Sequence, residues 1–288
     1  MKLCALILAH HKPLMLGRLV HRIERAGIVA YVHIDAKADQ AEFEEACRNS
    51  HAIFLAERLP IYWGGFSMVE AVVRLAERAL QNPALTHFVH ISGDSYPIKS
   101  DAELLALLSQ DVDWIDLAEA KFDSLTYQRI AKTYLPDTNI GTLKLSVHEQ
   151  RYLTAEVIHR IEEIRRIFAM KASQNFPWRY AKGANWWCLR RKTLHECLRV
   201  IQENSEFVSW FRYSSNPDES MFNSLVLNFT DAQLCNPCPV FFSSPSGTSC
   251  RPLTSFVAQR TSIKSASHLE PLPGNSLQMR MTFFNYLT

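Results

Sequence analysis

The opening of the chain leaves little choice of fold class. Leu3 to Ala9 is an unbroken apolar run, and Pro13 to Ala26 carries Leu16, Leu19, Val20 and Ile23 at helical spacing. Ile28-Val29-Ala30-Tyr31-Val32-His33-Ile34 is a second apolar run that stops at Asp35. A short charged helix over 41–49 then leads to Ala52-Ile53-Phe54-Leu55. Strand, helix, strand, helix, strand in this order predicts an α/β protein built on a parallel sheet. His87-Phe88-Val89-His90-Ile91 adds a fourth strand, broken by Ser92-Gly93-Asp94. Before it, Ser67 and Glu70 have capping-box spacing ahead of a helix lined by Val69, Val72, Val73, Ala76 and Leu80; after it, Ser100 and Glu103 repeat the signal.

From Asp111 the alternation weakens. Trp114-Ile115-Asp116-Leu117 reads as a strand, and 122–145 as a loop or small hairpin. A long helix is expected over 147–172, with Leu153, Val157, Ile161, Ile164 and Phe168 on its inner face and Glu/Arg pairs opposite. Gly183-Ala184-Asn185-Trp186-Trp187-Cys188-Leu189 enters a strand, 192–202 and 217–228 are helical, and the remainder is loop-like and rich in Ser and Pro. A length of 288 residues suits one large α/β domain or two intimate subdomains.

A net charge of +2 argues against a nucleic-acid face, so functional basic residues act locally. The run Leu3–Ala9 is too short to span a bilayer and reads as a buried strand rather than a signal peptide. The expected location is cytoplasmic, with at most peripheral membrane association. The odd count of seven cysteines favours reduced thiols. Cys235-Asn236-Pro237-Cys238 has metal-ligand spacing, but zinc there needs His268 or Cys250 from irregular sequence, and a turn is the better reading.

Open parallel sheets bind ligands beyond the carboxyl ends of their strands. Four polar clusters fall there: His10-His11-Lys12 after Ala9, Asp35-Ala36-Lys37, Trp63-Gly64-Gly65 and Ser92-Gly93-Asp94. An aspartate and a lysine two apart suit a nucleoside and its phosphates, and Trp63 suits stacking on a flat ring. Each cluster taken singly also has a structural reading. No GxGxxG or P-loop is present. Downstream, Asn216-Pro217-Asp218-Glu219 reads first as a helix start, with Asn216 as N-cap and Glu219 in a capping box. The same placement puts a carboxylate at the mouth of a rigid element, where a general base is useful. Asp111-Val112-Asp113 has the spacing of a metal-binding pair but precedes a strand, and a solvated turn is the preferred reading.

Five segments occur together in order: Tyr31 to Lys37, Trp63-Gly64-Gly65-Phe66-Ser67-Met68-Val69-Glu70-Ala71, His90-Ile91-Ser92-Gly93-Asp94-Ser95-Tyr96-Pro97-Ile98-Lys99, Gly183-Ala184-Asn185-Trp186-Trp187 and Pro217-Asp218-Glu219. Over roughly residues 3–255 the chain resembles the core-2/I-branching β-1,6-N-acetylglucosaminyltransferase and peptide O-xylosyltransferase family. The resemblance implies a GT-A type fold in one continuous domain, with a Rossmann-like nucleotide-sugar half over 1–110 and an acceptor-binding, catalytic half over 111–288. It implies an inverting transfer of a sugar, GlcNAc or xylose, from a UDP-sugar to a glycan or glycolipid acceptor, with no metal or other cofactor. Glu219 takes the place of the family's base. Ala9, His10, His11, Asp35, Ala36, Lys37, Trp63 and Arg251 fall on the nucleotide-sugar side, and Glu119 and Trp186 on the acceptor side. The chemistry agrees: one carboxylate suffices for inversion, and without a metal the diphosphate needs Arg or Lys. The departure lies after Arg251, where Ser265-Ala266-Ser267-His268-Leu269-Glu270-Pro271 lacks the family's second basic segment. Lys264 and Arg280 are the nearest substitutes.

Overall fold

The three apolar runs become strands where the sequence places them. The computed structural model describes residues 2–135, 137, 155–235 and 241–243, with backbone only at 155–157, 235 and 241–243. The chain begins β1 (Leu3–Ala9), α1 (Pro13–Arg25), β2 (Val29–Ile34), α2 (Gln40–Ala46), β3 (Ile53–Phe54), α3 (Phe66–Leu80) and β4 (His87–Ser92). It continues through β5 (Ser95–Pro97), α4 (Asp101–Leu108), β6 (Asp113–Ile115), β7 (Ala118–Glu119), α5 (Gln128–Ala131) and α6 (Ala155–Ser173). Then come β8 (Ala181–Lys182), β9 (Trp187–Arg190), α7 (Arg191–Glu203) and α8 (Ser205–Arg212). A 3-10 turn, Pro217–Glu219, precedes α9 (Met221–Phe229), β10 (Leu234–Cys235) and β11 (Phe241–Ser243). None of the described helices is long and apolar enough to cross a membrane.

The main sheet has the order β10-β6-β9-β4-β1-β2-β3. β1, β2, β3 and β4 run parallel, β10 is parallel to β6, and β9 lies antiparallel between β4 and β6. The fold is thus α/β with a mainly parallel sheet and flanking helices, as expected. β1 shows why its run has no polar alternation. Leu3, Ala5, Ile7 and Ala9 face a core shared with Leu16, Leu19 and Ile23 of α1, while Cys4 and Leu6 face a second core shared with Val72 and Leu75 of α3. Both faces are covered, so both must be apolar. The chain moves from β1 to β2 on one side and returns to β4 on the other, which sets the topological switch point between β1 and β4.

Two local expectations change. Ser100 and Glu103 form the capping box on α4, but α3 is capped differently: its N-cap is Gly65, and Ser67 lies inside the first turn. The N–H groups of Phe66 and Ser67 and the Ser67 hydroxyl all donate to the Asp137 carboxylate, so a distant residue supplies the cap. In α6, Phe168 is 62% exposed, whereas Ile167 is buried and Lys171 only 8% exposed. The buried stripe is rotated by one residue from the purely apolar one: Lys171 finds backbone carbonyls inside, and the half-buried Glu163 pairs with Tyr213 and Arg212 at its margin. Leu153 lies outside the described residues.

Burial alone holds the Lys171 ammonium down at about 7, against an ordinary 10.5. Between those values the unfolded chain binds a proton that the fold releases, so stability at this site rises with pH through the window and the cost is complete below its lower edge. Lys171→Met is therefore expected to be more stable than the parent at acid pH, by ~1–3 kcal/mol once its hydrogen bonds are lost, and to converge on it in alkali. Urea melts across that range check the sign.

Candidate active site

The polar clusters converge on the carboxyl edge of the parallel strands. At the switch point Ala9 ends β1 buried, and His10, His11 and Lys12 follow it. His11 Nε2 and Lys12 Nζ lie 3.7 and 3.8 Å from Asp94 Oδ2, and the Ser92 hydroxyl donates to Asp94 Oδ1 at 2.7 Å. Partial burial, then the neighbouring His10, lowers the His11 pKa. The two loops touch closely enough that a Cβ on Gly93 falls 2.6 Å from Ala9 Cβ, which is why a glycine stands there.

Asp35 is buried, and much of its polarity is spent on structure. Its N–H donates to the Ala9 carbonyl at 2.9 Å, and its carboxylate accepts from the Lys37 and Ile61 N–H groups at 2.9 and 3.3 Å. Lys37 Nζ sits 3.3 Å from the same carboxylate, bonds the Ile61 carbonyl and lies 4.4 Å over the Tyr62 ring. The Ala36 N–H donates to the Leu59 carbonyl. This knot carries the chain toward Trp63, whose ring is 85% exposed. Gly64 takes a left-handed φ of 72°, and its carbonyl accepts the Asn216 N–H at 3.0 Å. The aromatic turn is thereby fastened to the segment that carries Glu219.

Around Glu219 a helical turn starts where expected, with Asn216 at its N-cap and Pro217 in its first turn, but the capping box and the continuous helix do not form. Asn216 has φ 50° and no side-chain cap bond, and Ser220, at φ −145°, breaks the turn before α9 begins. The helical stretch is only three residues long, so a capping box has no place to form. Glu219 turns instead toward cations. Its Oε2 accepts from Arg129 Nη1 at 2.8 Å and lies 3.2 Å from Lys182 Nζ, with about a third of each side chain exposed. Neither cation was legible as a site residue, although Lys182 directly precedes the Gly183 segment. The Gly183 N–H donates to the Glu219 carbonyl at 2.9 Å, and Asn185 donates to Asp218 Oδ2 at 3.3 Å. Burial, then the adjacent Glu219 charge, pushes the Asp218 carboxyl up to about 6.

On the acceptor side, Glu119 forms a two-pronged pair with Arg179, at 3.0 and 2.6 Å, which holds its carboxyl below the usual range. β7 pairs with β8 so that Ala118 opposes Lys182 and Glu119 opposes Ala181, so Glu119 stands one residue along the ribbon from Lys182 and on its other face. Trp186 is half-buried immediately before β9, while its neighbour Trp187 packs on His90 and Phe222. Arg251, Lys264 and Arg280 lie outside the described residues.

Only half of the aspartate pair is the solvated turn expected: Asp111 is exposed, whereas Asp113 is not. Asp113 is fully buried and accepts from Arg190 through N, Nε and Nη2 at 2.8, 3.0 and 2.8 Å and from the Thr193 hydroxyl at 2.9 Å. Asp111 takes Arg190 Nη1 at 3.0 Å. Arg190 and Thr193 thus enclose the buried Asp113, while Asp111 meets the same guanidinium through one oxygen and is otherwise exposed. Among the described residues no cluster of three His, Cys, Asp or Glu side chains has metal-binding geometry.

The profile of the Core-2/I-Branching enzyme family matches residues 6–240. No curated protein sequence matches the chain. Among solved structures, core-mannan synthase A (CmsA/Ktr4) from Aspergillus fumigatus, in its Mn/GDP form, is similar at 10% identity over 88% of this chain and 80% of its own, with a TM-score of 0.41. HddC from Yersinia pseudotuberculosis is similar at 19% identity over 42% of this chain, with a TM-score of 0.28, and the match spans 60% of the HddC chain. Likenesses this distant carry no functional argument.

Proposed function

The chain belongs to the Core-2/I-Branching enzyme family, and from that premise we propose that this glycosyltransferase moves GlcNAc or xylose from a UDP-sugar to a glycan or glycolipid hydroxyl, with inversion and without a metal. The observation that carries the reading is the grip of Arg129 and Lys182 on Oε2 of Glu219. A base pinned through one oxygen is oriented, and Oε1 is the oxygen to take the acceptor proton. The acceptor oxygen then attacks the anomeric carbon, the bond to the diphosphate breaks on the opposite face, and UDP leaves with the electron pair. Trp63 offers a face for uracil, and the His10-His11-Lys12 turn lies at the switch point where a nucleotide belongs. Arg251 is the proposed partner of the departing diphosphate. Metal independence is supported by the buried Asp113 of the Asp111/Asp113 pair being committed to Arg190 and Thr193.

A second reading, a carbohydrate- or nucleotide-sugar-binding protein of the same fold with little turnover, is favoured by the missing basic segment after Arg251. A thermal-shift screen of UDP-sugars, with and without EDTA, followed by transfer assays, separates the two. Binding with turnover supports the enzyme, binding without turnover supports the alternative, and loss of UDP binding in EDTA refutes the metal-free mechanism. Trp63→Ala should weaken UDP by ~1–3 kcal/mol of ring stacking, roughly fivefold to a hundredfold in Kd. The unliganded melting temperature should hardly move, because the ring is exposed. Unchanged UDP affinity in this variant rejects the stacking role.

A further inference from the structure

We propose that Lys171, a buried lysine of α6 that takes no part in the transfer chemistry, is a positioning residue for the Glu219 base. Its Nζ donates to the carbonyls of Lys132, at 3.2 Å, and Tyr213, at 3.4 Å, with the Trp210 ring 5.8 Å away. Lys132 ends α5, the helix that carries Arg129, and Tyr213 ends α8 and opens the segment leading to Glu219. Two backbone bonds run beside this tie: the Tyr134 N–H donates to the Tyr213 carbonyl at 2.8 Å, and the Ser215 N–H to the Arg129 carbonyl at 3.1 Å. Lys171 thus joins, from behind, the two pieces of chain whose side chains meet as Arg129 and Glu219 at 2.8 Å.

The environment makes packing alone a poor explanation. Among the described residues no carboxylate pairs with Lys171. Glu163, an acid of the same helix, is taken by the Tyr213 hydroxyl at 3.0 Å and by Arg212 Nε at 3.4 Å. An apolar side chain of similar length fills such a space without desolvating an amine. The residue that costs stability yet ties two site-bearing segments is the signature of a trade between stability and function.

The inference rests on the base reading, and its test separates the two. Lys171→Met is expected to lower kcat tenfold to a hundredfold, leave the donor KM near the parent value and retain or raise stability at pH 6. Amide exchange of peptides covering 128–135 and 211–216 should quicken. In an Arg129→Ala background the same substitution should cost little more, because Lys171 acts through Arg129. Should the Met variant fail to fold, Lys171→Gln enters the same cycle. Parent kcat with parent exchange rates in the folded variant overturns the proposal. A parent enzyme that transfers sugar and is indifferent to Glu219→Gln overturns the base reading instead, and the exchange rates still report on the tie.

Discussion

Replacing Glu219 with glutamine is expected to slow sugar transfer at least ~100-fold while leaving UDP binding intact. The amide has the size of the carboxylate and still offers Arg129 an acceptor oxygen, but it cannot take a proton from the acceptor hydroxyl. Because the ion pairs with Arg129 and Lys182 are partly exposed, their loss should cost no more than ~1 kcal/mol of stability. UDP affinity should persist, since the base faces the acceptor rather than the diphosphate. Asp218→Asn is the companion variant. Its carboxyl is buried against Asn185, so substitution disturbs the turn and produces a smaller rate loss. A folded Glu219→Gln protein that transfers at the parent rate ends the claim, and single-turnover assays at saturating donor decide it.

The elements most legible in the sequence are those whose surroundings are simplest. β1, β2 and β4 lie between two apolar layers, so an unbroken run of Leu, Ile, Val and Ala can mean little else. β9 shows the limit. Trp187-Cys188-Leu189 reads as a strand, yet nothing in so short a run says that it enters antiparallel between β4 and β6. α8 escaped because its eight residues fall between two predicted helices, although Asn204 caps it by accepting the Phe207 N–H at 3.0 Å. Apolar periodicity picks out the inward face of α1 but falls one residue away from that of α6. Apolar periodicity finds a buried stripe only when the buried residues are apolar, and Lys171 is not.

The candidate site divides along similar lines. Its motifs are local, and the fold delivers His11 and Lys12 to Asp94 and the Trp63 turn to Asn216. The groups that aim Glu219 are not local. Arg129 comes from a four-residue helix and Lys182 from a two-residue strand, and neither announces a partner in the sequence around it. Long-range charge pairing is decided by tertiary packing, which residue spacing does not encode.

Asp113→Ala is expected to lose ~3–5 kcal/mol of stability, the cost of removing one member of a buried charge pair. Arg190 is left with its guanidinium mostly covered and only Asp111 to face it, and Thr193 loses its acceptor. Asp111→Ala is the informative comparison, because that carboxylate is mostly exposed and its removal should cost less than ~1 kcal/mol. A metal-binding pair forecasts something different. Both alanine variants would then lose metal-dependent UDP binding to a similar degree, and neither need unfold more easily. Urea melts of the two variants, with UDP titrations in EDTA and in Mn²⁺ well below their midpoints, separate these outcomes. Unequal stability losses with metal-indifferent UDP binding fit the Arg190 clamp. Equal stability with a shared loss of Mn²⁺-dependent binding would reject it, because a carboxylate buried against a guanidinium cannot also hold a divalent cation without giving up that pair.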